Sequence, residues 1–63
     1  MTLKKVHDLG LIDDNTVVWV RGADLHLITS GNWYQDNVLD YMLADLECFT
    51  WQDDNNFYID LKE

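Results

Sequence analysis

Cys48 is the only cysteine among 63 residues, so no disulfide can staple a chain of a size that often needs one. A domain this short buries only roughly 60% of the surface its unfolded chain exposes. One cysteine and two histidines, with no CxxC or HxxxH pair, do not make a structural zinc site either. Stability must then come from side-chain packing or from a partner chain. Hydrophobic residues make up 48% and aromatics 13%, too much core material for a disordered acidic tail. Trp19, Trp33, Trp51, Phe49 and Phe57 are the candidate core aromatics, and a homodimer is the other expected source of buried surface.

Charge is the second constraint. Twelve acidic side chains face four basic ones, for a net charge of −8. Residues 1–31 carry −1 of this (Lys4, Lys5, Arg21 against Asp8, Asp13, Asp14, Asp24). Residues 32–63 carry −7, with Lys62 alone against Asp36, Asp40, Asp45, Glu47, Asp53, Asp54, Asp60 and Glu63. From Gly22 to Leu61, forty consecutive positions hold no Lys or Arg. Surface acids are ordinarily interspersed with bases, which limits self-repulsion. Such a surface argues against direct binding to DNA, RNA or an anionic membrane. The start lacks the apolar stretch of a signal peptide, no apolar run nears the roughly 20 residues of a bilayer span, and the cysteine is unpaired. A cytoplasmic protein is expected.

Local patterns predict one α+β domain over residues 1–63. Thr2 caps a short helix in which Leu3, Val6 and Leu9 share a face, and Gly10 closes it with Leu11 as the following apolar contact. Thr16 to Arg21 and Asp24 to Ser30 read as a hairpin joined by Gly22-Ala23. Gly31-Asn32 interrupts. Asn32 and Gln35 have capping-box spacing, and Val38, Leu39, Met42, Leu43 and Leu46 make one helical stripe. Glu47 to Gln52 and Phe57 to Leu61 flank the polar turn Asp53-Asp54-Asn55-Asn56, with Phe57, Ile59 and Leu61 inward and Tyr58 and Asp60 outward. The expected architecture is a short N-terminal helix, a hairpin, a central amphipathic helix and a second hairpin. That helix packs on a four-stranded antiparallel sheet.

Catalytic and metal chemistry find little support. Cys48 could pair with His7 or His26, but it has no oxyanion motif or Gly-rich elbow, and anionic neighbours would raise its pKa. A packed core cysteine is expected instead. Asp13-x-Asn15 and Asp53-x-Asn55 begin like calcium loops and then fail, at Val17 and at Phe57 and Tyr58. They are better read as turns in which Asp and Asn bond their own backbone. No nucleotide loop is present, and no enzyme, cofactor or metal is expected.

Acids at i and i+4 on a helix, or i and i+2 on a strand, stand roughly 6–7 Å apart, near the phosphate spacing of a nucleic-acid strand. Asp36 and Asp40, Asp45 and Glu47, and Asp53 and Asp54 would then present phosphate-like charge to a Lys/Arg-lined groove. Trp33, Tyr34 and Trp51 are candidate anchors, or else they complete the core under the helix ends. The segments Leu9-Gly10-Leu11-Ile12-Asp13-Asp14, Gly31-Asn32-Trp33-Tyr34-Gln35-Asp36 and Thr50-Trp51-Gln52-Asp53-Asp54-Asn55 resemble those of small acidic uncharacterised proteins of phages and mobile elements from low-GC Gram-positive bacteria. That resemblance covers most of the chain in style and size rather than by a defining motif. It implies non-enzymatic, host-directed binding, including inhibition of nucleases and CRISPR effectors, and no catalytic residues. The leading expectation is therefore an interaction protein whose acidic face occupies a basic surface of a nucleic-acid-binding protein. The alternative is a small self-associating structural or scaffolding module whose acidity serves solubility.

Overall fold

A computed structural model describes residues 1–62; Glu63, counted in the charge above, lies outside them. The elements run α1 (Leu3–Asp8), β1 (Val17–Arg21), β2 (Leu27–Asn32), α2 (Asp36–Leu39), β3 (Leu46–Trp51) and β4 (Asn56–Leu61). The fold class is α+β.

The first helix forms as its local signals dictate. The Thr2 hydroxyl accepts from the Lys5 amide at 3.2 Å. At the other end Gly10 takes φ +77°, its amide donates to the His7 carbonyl at 2.9 Å, and the Leu11 amide donates to the Val6 carbonyl at 3.2 Å. These are the two bonds of a Schellman motif.

The sheet order is β2-β1-β4-β3, and the sheet is mixed rather than antiparallel. Each hairpin is antiparallel, but the inner strands β1 and β4 run parallel, with Val18 beside Phe57 and Val20 beside Ile59. The connection explains it. Strand β2 ends at Asn32 opposite Val17, whereas β3 starts at Leu46 opposite Leu61. Residues 33–45 thus carry the chain back along the sheet, so β2 and β3 run the same way and so do their partners. Gly31-Asn32 does not interrupt β2. Gly31 sits at φ +152° opposite Val18, where a Cβ would run into the Gln35 side chain.

The central amphipathic helix is corrected too: α2 is one turn of four residues, capped by Gln35 rather than Asn32. Half of the capping box survives, since Gln35 Oε1 accepts from the Asn32 amide at 2.6 Å. The stripe fails to continue for two reasons. Asp40 stands at the C-terminal end with no basic residue in the last turn, opposing the macrodipole. The Met42 carbonyl is also taken by the Lys4 amide at 3.0 Å, one of the first-turn donors that α1 cannot satisfy internally. Leu43 is left 75% exposed, and Leu46 opens β3.

The core lies on one face of the sheet and is mainly aliphatic: Leu3, Val6, Ile12, Val18, Val20, Val38, Leu46, Phe57 and Ile59. Phe57 is its one fully buried aromatic: of the others expected there, Trp33 packs partly against it, Phe49 and Trp51 are exposed on edge strand β3, and Trp19 lies on the opposite face of the sheet. Among the described residues no helix is long and apolar enough to cross a membrane.

A chain of 63 residues is expected to hold about 3–9 kcal/mol of stability, at about 0.05–0.15 kcal/mol per residue. Phe57→Ala removes about 3–5 kcal/mol and is expected to abolish the cooperative urea transition. Ile59→Val costs about 0.5–1.5 kcal/mol and is expected only to lower its midpoint.

Candidate interaction surface

Because both helices lie over the core face, the other face of the sheet has no layer on it. Strand alternation and register bring Trp19, Arg21, Tyr58, Asp60, Cys48 and Thr50 together there. Trp19 stacks on Tyr58 with ring centroids 5.7 Å apart, and the Trp19 indole N–H donates to Asn56 Oδ1 at 2.9 Å. Arg21 lies 4.7 Å from the Tyr58 ring centre and grips Asp60 with two donors, Nε to Oδ1 at 2.6 Å and Nη2 to Oδ2 at 3.1 Å. Asp60 was expected outward. It does point away from the core, yet it is only 6% exposed under Arg21 and Cys48. Strand alternation predicts Tyr58 and Asp60 on this face, whereas Trp19 and Cys48 are expected in the core; the parallel β1–β4 register and the β3–β4 pairing bring them here as neighbours.

Cys48 is exposed rather than packed in the core, since β3 is an edge strand and its outer face has no cover. Its thiol donates to Asp60 Oδ2 at 3.0 Å. That bond, then desolvation and the Asp60 charge, pushes the thiol above its ordinary pKa, with Arg21 opposing. The arrangement holds a proton on sulfur and is the reverse of an activated nucleophile. Two open depressions lie nearby: one of about 350 Å³ at Cys48, Asp60, Glu47 and Lys62, and one of about 460 Å³ at Trp51, Gln52, Asp53 and Asp54. Among the described residues no cluster of three or more His, Cys, Asp or Glu side chains is placed to hold a metal ion.

The six acids named from sequence are all exposed but do not form one line. Asp36 and Asp40 lie one turn apart on α2. Asp45 and Glu47 flank the first residue of β3, at the Leu61 end of the sheet. Asp53 and Asp54 lie past Trp51, at the opposite end, where the Val17 amide donates to the Asn55 carbonyl at 2.7 Å and β1 brings Asp13 and Asp14. Asp53 also holds its own turn. Its Oδ1 accepts from the Asn55 amide at 2.9 Å and the Asn56 amide at 3.0 Å, and the Asn56 side chain donates to both oxygens. These bonds, the Asn55 amide first, hold its pKa below the ordinary carboxylate value. Asp13 makes the same contact with the Asn15 amide at 2.8 Å, so both abortive calcium loops are backbone-bonded turns.

The three aromatics separate by role. Trp33 is structural: it stacks on His7 at 3.8 Å between centroids and donates its indole N–H to Asp14 Oδ1 at 2.9 Å. Tyr34 is 51% exposed and meets Trp33 edge-on. Trp51 is 44% exposed, its ring against Phe57 at 4.8 Å. No protein-family model matches the chain, and neither a curated protein nor a solved structure is significantly similar to it.

Two outcomes follow. Iodoacetamide at pH 8 is expected to alkylate Cys48 more slowly in the folded protein than in urea, and faster in Asp60→Asn that circular dichroism shows to be folded. Faster alkylation of the native thiol would contradict the Asp60 bond. Asp53 has a folded pKa below its unfolded one, so its contribution is complete above the ordinary value of 3.8 and fades as pH falls through the lowered one. Asp53→Asn is expected to lower the melting temperature at pH 7 and to narrow its difference from wild type near pH 2.

Proposed function

We propose that this chain is a non-enzymatic interaction protein whose acidic surface occupies a basic, nucleic-acid-binding surface of another protein and so inhibits it by competition. One observation carries the reading: two of the four cations are engaged by acids that the fold sets beside them. Arg21 is committed to the buried Asp60, and Lys4 to Asp8 at 2.9 Å. Asp36, Asp40, Asp45, Glu47 and Asp54 make no ion pair among the described residues. Surface acids without local partners give a field that speeds encounter with a Lys/Arg-lined groove and weakens with salt. Asp54 carries more of this role than Asp53, whose oxygens serve the turn. Tyr34 and Trp51 remain as the exposed aromatic anchors, and Trp33 does not. Inhibition of a nuclease or CRISPR effector, by a protein of phage type, fits this chemistry.

Self-association as a small structural module is the second reading, favoured by exposed Leu27, Ile28, Phe49 and Trp51 on the two edge strands. Acidity would then serve solubility.

The two readings separate in a pulldown from a bacterial lysate, with wild type and Asp36→Lys/Asp40→Lys as baits at low and moderate salt. A nucleic-acid-binding protein is expected on wild type, with affinity about tenfold lower and a flatter salt dependence for the reversed bait. Equal retention on both baits would overturn the acidic-surface reading. Recovery of the bait alone, with a mass in sedimentation that rises with concentration, would favour the structural module.

A further inference from the structure

The two edges of the sheet are not equivalent. At β2 the Asn37 side-chain amide donates to the Ser30 carbonyl at 2.9 Å and to Thr29 Oγ1 at 2.7 Å, so α2 covers the middle of that edge and leaves only its start at Leu27 and Ile28 exposed. Only the start of β3 is covered, by the Leu46 amide donating to the Met1 carbonyl at 2.8 Å and a bridge from Thr2 to Asp45. From Glu47 to Trp51 the edge is open among the described residues.

Antiparallel geometry says which groups it offers. The Gln52 amide donates to the Asn56 carbonyl at 2.8 Å, and Thr50 and Cys48 follow it in register with Tyr58 and Asp60. These three residues bond to β4, which turns the amides and carbonyls of Phe49 and Trp51 outward. Their rings lie on the core face against Phe57, at centroid distances of 5.6 and 4.8 Å, and remain 37% and 44% exposed. The hydrophobic layer therefore stops unfinished at β3. A strand added there would satisfy the outward backbone groups and place alternate side chains beside Phe49 and Trp51.

Charge selects the occupant. Asp45 and Glu47, with the single cation Lys62 beside them, bracket one end of the open edge, and Asp53 and Asp54 the other, a span of about 20 Å from Glu47 to Asp53 along an extended chain. A second copy fits badly: paired antiparallel, β3 would set each bracket against the other copy's opposite bracket, and paired parallel, against its equivalent. Acids meet acids in both. We infer that the open β3 edge receives an extended segment of a partner protein, with basic residues at both ends and apolar residues facing Phe49 and Trp51. The inference rests on the proposed binding to a basic protein and specifies its mode: strand addition at β3, with Asp36 and Asp40 of α2 adding to the field that attracts the basic partner.

The probe is the blocked heptapeptide Lys-Lys-Val-Thr-Val-Lys-Lys, added to the full chain and followed by amide hydrogen exchange. Two control peptides replace lysine by glutamate or carry N-methyl groups on alternate amides. At about ten times its Kd, the lysine peptide is expected to slow exchange at Phe49 and Trp51 about tenfold, while both controls leave them unchanged. A shift confined to Asp36–Asp40 would overturn strand addition and leave the acidic-surface reading standing. Equal protection by the glutamate peptide would overturn the basic partner and count against that reading as well. Protection that appears without peptide as protein concentration rises would assign the edge to a second copy. Unchanged Phe49 and Trp51 amides with every peptide would overturn the inference outright.

Discussion

The parallel pairing of β1 with β4 is the constraint on which the rest of the structure depends. Neither hairpin has a sufficient core alone, because a two-stranded unit buries too little to persist in water. Joined in parallel register, they set Val18 and Val20 beside Phe57 and Ile59 on one face, and Trp19 and Arg21 beside Tyr58 and Asp60 on the other. A slip of one residue would drive Asp60 into the aliphatic layer and expose Ile59. The Arg21–Asp60 pair opposes that slip: it is bidentate and largely desolvated, and losing one partner would strand the other charge.

Local chemistry was legible in the sequence, and pairing between distant segments was not. Thr2 and Gly10 mark α1 because each satisfies backbone groups within a few residues of itself. The Asp13 and Asp53 turns are legible for the same reason, and so is the second hairpin; the first pairs as expected, but its connection runs from Gly22 to His26 rather than through Gly22-Ala23 alone, and β2 starts at Leu27. The direction in which the hairpins meet depends instead on residues 33–45, whose path is set by contacts outside that segment. The Lys4 amide takes the Met42 carbonyl, and Met1 takes the Leu46 amide, so a stripe with helical periodicity ends after one turn. Propensity lost to tertiary hydrogen bonding. The aromatics were misread by the same route. Without a long helix over the sheet, Phe49 and Trp51 have no cover and lie at the rim, where Cys48 is exposed as well.

The candidate site shows the same division. Composition alone revealed the acids and their lack of compensation, and the structure leaves all six of the named ones on the surface. It could not reveal that Asp53 is engaged by its own turn, that Trp33 is tied to Asp14 and His7, or that Arg21 is withdrawn from the surface by Asp60. The last point bears most on charge. That pair is neutral in sum and adds little to the external field, and Asp36, Asp40 and Asp54 make no ion pair among the described residues.

The edge strands show how this acidity and the fold are coupled. An exposed six-residue strand with two aromatics is a hazard for self-pairing, and proteins usually blunt it with proline, lysine or a covering segment. Here proline is absent, and the covering segment reaches only the first residue of β3. The remaining protection is the pair of acidic brackets, which repel any copy of the chain whichever way it approaches. Repulsion of this kind discriminates by charge rather than by shape: it leaves the backbone groups of Phe49 and Trp51 free and excludes only strands with acidic ends. Charge that disfavours pairing with another copy is thus compatible with a basic strand from elsewhere, so solubility and recognition need not be separate explanations of the same acids.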